Sequence, residues 1–159
     1  MGKHQFVGVH VDKCTGCRVC EFICSMEHRQ AFNPSRSRIR VTRVYPCTNS
    51  ASNCCLCDDA PCVPACPRKA LTQSPETGVI IVDDELCNEP GCDKCIKACD
   101  YGSIILEGGK ARICDLCRDR EGGPACVEWC PEDALELTTD ESLLPKASHA
   151  PEGDPEVGS

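Results

Sequence analysis

Short apolar stretches recur along the chain, each only a few residues long and each next to a group of cysteines. Val7-Gly-Val-His-Val11 reads as a strand. Between Arg38 and Tyr45, Ile39, Val41 and Tyr45 share one face while Arg38, Arg40 and Thr42 share the other, the period of a half-buried strand, which Arg43 breaks. Leu71 opens a strand after Cys66-Pro-Arg-Lys-Ala, and Val79-Ile-Ile-Val82 returns after the turn at Pro75 and Gly78. Ile104-Ile-Leu106 and Ala111-Arg-Ile113 flank the turn Glu107-Gly-Gly-Lys110 as a hairpin, and Ala134-Leu-Glu-Leu137 is a last strand. Met26 to Ala31 forms a short helix that Asn33-Pro34 stops. No apolar run approaches the roughly 20 residues of a membrane span. The pattern predicts short hairpins and short helices, none able to organise a core by itself.

Composition sharpens the difficulty. Of 159 residues, 41% count as hydrophobic, but 18 of the 159 are cysteines and aromatics are 4%. With cysteine set aside, about 30% is left for a hydrocarbon core, thin support for small domains that bury a limited share of their surface. Metal binding to cysteine is folding free energy outright, and this chain has the thiols for it. The start, Met1-Gly-Lys-His-Gln-Phe-Val, has neither the apolar region nor the cleavage site of a secretory leader. The expected compartment is therefore the cytoplasm, where thiols serve as metal ligands more than as disulfides.

The cysteines fall into four runs. The first is Cys14, Cys17, Cys20 and Cys24; the second is Cys54, Cys57, Cys62 and Cys66, followed by Pro67. The third is Cys87, Cys92, Cys95 and Cys99; the fourth is Cys114, Cys117, Cys126 and Cys130, followed by Pro131. Three closely spaced thiolates and a trailing fourth are how ferredoxins hold iron–sulfur clusters, the fourth serving the other cluster of a pair. Sixteen ligands match four [4Fe–4S] clusters. A cysteine loop, a turn of helix and a short strand thus repeat four times.

Because each run lends its last cysteine to a neighbour, the runs must pair. Runs two and three, joined by a hairpin-length connection, are expected to pair, which leaves one with four and brings the chain ends together. The expected sets are Cys14, Cys17, Cys20 with Cys130; Cys114, Cys117, Cys126 with Cys24; Cys54, Cys57, Cys62 with Cys99; and Cys87, Cys92, Cys95 with Cys66. Pairing by sequence neighbours, one with two and three with four, is the alternative. Cys47 and Cys55 are left over and read as packed free thiols. Zinc is the competing metal, but its Cys-x2-Cys pairs usually stand about 15–20 residues apart.

The formal charge of −8 argues against nucleic acid as a partner, and four oxidised clusters would carry it to roughly −16. Arg18, Lys94, Lys97, Arg112, Arg118 and Arg120 stand near cysteines, as partial counter-charges or plain surface charges. Arg36, Arg38, Arg40 and Arg43 serve as docking groups, as donors near a cluster or as one face of a strand. No Ser/His/Asp or paired-carboxylate arrangement stands out; His4, His10, His28 and His149 are scattered. Trp129, beside Cys130, is expected to pack around a cluster.

The four-run pattern, with Cys-Asp-Leu-Cys and Gly-Pro-Ala-Cys-Val-x-x-Cys-Pro across 114–131 and Cys-Asp-Asp-Ala-Pro-Cys-Val across 57–63, resembles the iron–sulfur electron-transfer subunits of molybdenum and tungsten oxidoreductases. Phe32-Asn-Pro-Ser-Arg-Ser-Arg-Ile-Arg-Val41 is similar to the small subunits that accompany tungsten enzymes of the aldehyde ferredoxin oxidoreductase family, of the aldehyde oxidoreductase or benzoyl-CoA reductase type. The resemblance implies an α+β fold of two pseudo-symmetric bacterial-ferredoxin-like modules around four [4Fe–4S] clusters, with the nested pairing given above. The outer module is expected over 1–53 and 108–137, the inner over 54–107, and 138–159 as an extended tail lying on a partner or on the domain's own surface. The implied partner is a large catalytic tungsten- or molybdenum-pterin subunit, with a further flavin or iron–sulfur subunit as a second, and the chain relays electrons without being catalytic itself. A free-standing soluble polyferredoxin and a zinc-structured interaction module are the competing classes. Ser25 and Asp100 stand where ferredoxins have proline.

Overall fold

A computed structural model describes residues 4–44 and 48–144. In chain order the elements are β1 (Phe6–Val9), α1 (Val19–Arg29), β2 (Arg40–Val44), β3 (Thr48–Ser52), α2 (Cys62–Ala65), β4 (Leu71–Gln73), β5 (Ile80–Val82), α3 (Lys94–Ala98), β6 (Ile105–Glu107), β7 (Lys110–Arg112), α4 (Ala125–Trp129) and β8 (Leu135–Thr138). Short 3-10 turns span Pro34–Arg36 and Glu141–Leu143. The strands form four separate two-stranded antiparallel ribbons, β1 with β8, β2 with β3, β4 with β5 and β6 with β7. Two-stranded ribbons are marginal by themselves, so each leans on a cysteine loop instead of a sheet.

The β1–β8 ribbon closes the described chain on itself, with Phe6 opposite Thr138 and Val9 opposite Leu135. All four residues of β1 are buried. Gly8 is needed there: a Cβ would stand 2.6 Å from Thr138 Cγ2 and 2.9 Å from Leu143 Cβ. Beneath the ribbon, α1 packs on α4, while α2 packs on α3.

Two groups of buried side chains follow this division. One gathers Leu56, Leu71, Val79, Ile80, Ile104, Ala111 and Ile113 around cysteines of runs two and three. The other gathers Val7, Val9, Ile39, Val41, Ala51 and Leu135 around Cys20, Cys24 and Cys126. Leu116 packs against both.

Several expectations change. The helix starts at Val19, well before Met26, and carries Cys20 and Cys24. Ser25 explains the extension, because a proline there would remove a backbone donor from the helix interior. Ser25 is buried; its Oγ donates to Phe22 O at 2.8 Å and accepts the Asn33 N–H at 3.2 Å. β3, Thr48-Asn-Ser-Ala-Ser, has no counterpart among the expected strands; its residues lack apolar alternation, and only pairing to β2 makes it a strand.

The expected boundary between 107 and 108 falls in the β6–β7 turn, and Ala111 and Ile113 pack in the inner core. The tail expected from 138 begins inside β8 and includes the Glu141–Leu143 turn, whose Leu143 approaches Gly8, so 138–144 is not simply extended. The expectation for its remainder, 145–159, lies outside the described residues, as do those for Tyr45, Cys47 and His149. Trp129 is 56% exposed and does not pack around a cysteine set as expected; it faces outward from a helix of five residues.

Candidate metal centre

Three of the four cysteine loops reverse sharply just before the second thiol of the Cys-x2-Cys pair. Gly16 (φ 71°), Leu56 (φ 50°) and Leu116 (φ 58°) supply the reversal at equivalent places in runs one, two and four. Left-handed backbone strains a branched residue; Leu56 is held in it by burial, being 2% exposed. A second reversal follows the trailing cysteine by three residues, at Lys69, Gly102 and Asp133. In two runs it aims the next amide back at sulfur: Ala70 N–H donates to Cys66 Sγ at 3.3 Å and Ala134 N–H to Cys130 Sγ at 3.4 Å.

Four groups of thiols result. Cys14, Cys17, Cys20 and Cys130 line one small cavity, with Val41, Ala51 and Leu135 as its apolar wall. Cys54, Cys57, Cys62 and Cys99 line a second, together with Cys55 and Tyr101. A third is lined by Cys66, Cys87, Cys92 and Cys95, walled by Leu71, Leu86 and Leu106. In the last group Cys24, Cys114 and Cys117 lie close enough to Cys126 that their charges act on it, after burial, to push its thiol well up. Cys24 Sγ accepts the Arg38 N–H at 3.3 Å, and Cys87 Sγ accepts the Ala111 N–H at 3.4 Å.

Electrostatics test whether iron suits these groups. Burial, then the neighbouring Glu21, raises Cys20 to about 12. Burial, then Cys99, raises Cys62 to about 11, and burial with Cys24 among its neighbours raises Cys114 to about 12. Four thiols crowded in an apolar pocket cannot all ionise unless positive charge sits among them, and a coordinated metal supplies it. The 17 described cysteines are all free thiols. All-sulfur donor groups with N–H groups aimed at sulfur fit iron–sulfur clusters.

Adjacent groups also meet. Cys20 acts on Cys126, Cys114 on Cys54, and Cys95 on Cys62. Each group is thus near enough to the next for their charges to act on one another, from the group of Cys14 through those of Cys24 and Cys54 to that of Cys87.

Spacing alone missed several contributors. Asn53 is buried at 1% exposure; its Nδ2 stands 3.3 Å from Cys54 O and 3.9 Å from Cys114 Sγ, between two groups. Ser103 Oγ donates to Asn53 O at 2.9 Å. His28 and Asp115 lie beside Cys117, their ligand atoms all within 4.8 Å of one another. His28 is lowered, by burial first and then by Arg38.

The arginines of the β2 region are used within the chain. Arg38 Nη1 donates to Ile113 O at 3.1 Å and pairs with Asp115 at 3.2 Å; Arg36 pairs with Glu107, while Arg40 and Arg43 donate to Ser35 O and Gly16 O. Of the basic residues expected near cysteines, Arg112 pairs with Asp84 and Glu107, and Arg120 with Glu27 and Glu128. A polar cavity of about 220 Å³ lined by Arg29, Arg38, Arg112 and Arg118 contains no cysteine, and Asp84 and Asp115 in its wall pair with two of these arginines. Among the described residues, no helix is long and apolar enough to cross a membrane.

Comparison with known proteins agrees with this chemistry. Residues 47–140 match the 4Fe–4S dicluster domain family. The polyferredoxin-like subunit of aliphatic sulfonate oxidoreductase from Pyrococcus furiosus is 44% identical over 133 residues, 80% of this chain and 74% of that one. The electron transport protein HydN of Escherichia coli is 32% identical over 168 residues, covering 91% of this chain and 93% of HydN. Formate hydrogenlyase subunit 2 of Escherichia coli is 31% identical over 170 residues, 84% of this chain and 81% of that one. Among solved structures, a chain of the active site complex BamBC of benzoyl coenzyme A reductase aligns over 84% of this chain and 76% of its own length, with a TM-score of 0.46 and 26% identity. The cysteine runs, the sulfur-directed amides, the family match and the relatives from Pyrococcus furiosus and Escherichia coli identify the chain as an iron–sulfur electron-transfer protein of the 4Fe–4S dicluster domain family.

Proposed function

We propose that the chain is the electron-transfer subunit of an oxidoreductase complex, holding four [4Fe–4S] clusters in a row. The ligand sets are Cys14, Cys17, Cys20, Cys130; Cys24, Cys114, Cys117, Cys126; Cys54, Cys57, Cys62, Cys99; and Cys66, Cys87, Cys92, Cys95. The observation that carries this reading is the succession of thiol groups, neighbours meeting at Cys20 and Cys126, at Cys114 and Cys54, and at Cys62 and Cys95. When bound, each cluster takes up and releases one electron at a time, and the protein supplies position and potential. Its own residues fix the thiols, exclude water with Val41, Leu71 and Ile80, and aim amides at sulfur.

The fold reads as two pseudo-symmetric ferredoxin-like modules. The inner runs over about 54–113; the outer joins 6–52 to 114–138, with the boundary moved past the β6–β7 hairpin. Support comes from the two separate cores and the repeated left-handed residues. The catalytic work belongs to a partner, a large tungsten- or molybdenum-pterin subunit, with a further flavin or iron–sulfur subunit or a carrier at the other end of the relay, in the cytoplasm. The naming of the Pyrococcus furiosus relative as an oxidoreductase subunit supports a partnered role.

Anaerobic purification from the native source tests this. We expect about 16 iron atoms per chain and a large subunit at fixed stoichiometry that contains tungsten or molybdenum. A chain that purifies alone with its iron is a free-standing polyferredoxin, and a colourless one with zinc is neither.

A further inference from the structure

The four thiol groups are not supplied alike with hydrogen bonds to sulfur. The first receives the Ala134 amide at Cys130; the second receives Arg38 N–H at Cys24 and the Asn53 amide at Cys114. The last receives Ala70 N–H at Cys66 and Ala111 N–H at Cys87. Among the described residues, the sulfurs of Cys54, Cys57 and Cys62 meet backbone N–H groups only at Leu56 and at Cys57 and Cys62 themselves, and Cys99 has no returning amide like those of Cys66 and Cys130. The difference begins at Asp100: runs two and four continue Cys-Pro and return an amide to sulfur, whereas run three continues Cys99-Asp-Tyr-Gly and does not.

Cys55 occupies the gap. It is 7% exposed, walls the pocket of that same group, and its Sγ lies 3.5 Å from Cys57 Sγ. Tyr101 lines the same pocket as Cys55, close enough that the Cys55 charge acts on its phenol. A phenol O–H can donate to a thiol sulfur, and a thiol that accepts such a bond keeps its own proton free to point at Cys57. A thiolate ligand has no proton, so in the loaded protein Cys55 is the only one of the two sulfurs able to donate.

We infer that Cys55 is a positioning residue for the cluster held by Cys54, Cys57, Cys62 and Cys99, its S–H donating to Cys57 Sγ and raising that cluster's reduction potential. The inference rests on those four cysteines being the ligands. Hydrogen bonds to ligand sulfur stabilise the more negative, reduced state, and their number is among the levers that set cluster potential. Here a side chain stands in for the returning amide that the trailing cysteines of runs two and four receive. Tyr101 orients the donor.

The experiment uses the anaerobic full-length holoprotein, with iron and sulfide analysis and redox titration followed by electron paramagnetic resonance. In Cys55→Ala, iron and sulfide stay at the native level while one couple becomes harder to reduce, by about tenfold, or about 59 mV for one electron. Cys55→Ser, whose O–H donates from the same place, returns that couple toward its native value, and Tyr101→Phe moves the same couple in the direction of Cys55→Ala. Unmoved couples with full iron in Cys55→Ala overturn the donation and leave the ligand assignment standing. Loss of iron in Cys55→Ala makes Cys55 a ligand and overturns that assignment. A folded, fully loaded Cys55→Ser that titrates like Cys55→Ala assigns the effect to packing and overturns the inference.

Discussion

The Glu21 carboxylate, in the first turn of α1, accepts the backbone N–H of Val41 at 2.7 Å. Both residues are buried, Glu21 at 5% and Val41 at 9% exposure. This bond ties the helix that carries Cys20 and Cys24 to the strand that walls the first thiol pocket. Arg18 approaches the same carboxylate at 4.0 Å from solvent, so the charge is only partly countered from that side. Removing the acceptor leaves a buried donor unsatisfied, which costs about 1–3 kcal/mol. Glu21→Ala is expected to lose that much stability in anaerobic urea unfolding with its iron content intact. An unchanged midpoint would show that the bond contributes nothing net.

Glu107 makes a second tie, across the two cores. Arg29 of α1 reaches it at 2.6 Å and Arg36 at 3.3 Å, while Arg112 of the neighbouring strand stands at 3.5 Å. Burial pushes the Glu107 carboxyl up, but the hydrogen bond from Arg29 and the charges of Arg29, Arg36 and Arg112 outweigh it and hold the group below its ordinary range. A carboxylate with a lowered folded pKa stabilises fully above its unfolded pKa, about 4.3, and loses that contribution as pH falls through the folded value. The stability difference between native protein and Glu107→Gln is therefore expected to be flat from about pH 8 to about pH 5 and to shrink below about pH 4. Unfolding midpoints of both proteins across that range check it; a difference that grows in acid contradicts the sign.

How much of this was legible in the sequence varies with the kind of signal. Cysteine spacing marked the sixteen thiols of the four groups, because ligand geometry forces short, fixed intervals, but it gave Cys55 no place in the second pocket, which it lines. The strands at Val7, Val79 and Ala134 were readable because burial imposes an apolar pattern. β3 was not: Thr48 to Ser52 carry a single apolar residue, Ala51, too few for an alternating pattern, and the partner strand determines their conformation. Asn53, Glu21 and Ser103 were equally silent, since each acts through one long-range hydrogen bond that leaves no periodic trace. Trp129 misled for a related reason: adjacency to Cys130 in the chain says nothing about which side of α4 the indole takes.

Ser25 makes a sharper test of local sequence against fold. It lets α1 run on to Arg29, and Arg29 is the residue that reaches Glu107. Ser25→Pro restores the proline that ferredoxins carry after the trailing cysteine, but inside a helix it costs about 3 kcal/mol or more. It also removes the hydroxyl that accepts the Asn33 N–H. The variant is expected to lose helix content by circular dichroism and to weaken the Arg29–Glu107 tie, so that adding Glu107→Gln costs little more. Full additivity of the two substitutions would show that the last turns of α1 do not depend on Ser25.

The nested pairing of the runs leads to a test that needs no structure of the loaded protein. Cys24 lies with Cys114, Cys117 and Cys126, although it follows Cys20 in the chain by a single helical turn. If these four hold one cluster, Cys24→Ala and Cys114→Ala damage the same site. Iron lost by the double variant should then be no greater than that lost by the worse single variant. Cys24→Ala with Cys54→Ala strikes two sites, and there the losses should add. Pairing by sequence neighbours reverses both results, because Cys24 would then share its cluster with Cys54, Cys57 and Cys62. Iron and sulfide counts on the five proteins, each purified anaerobically, decide between the two connectivities.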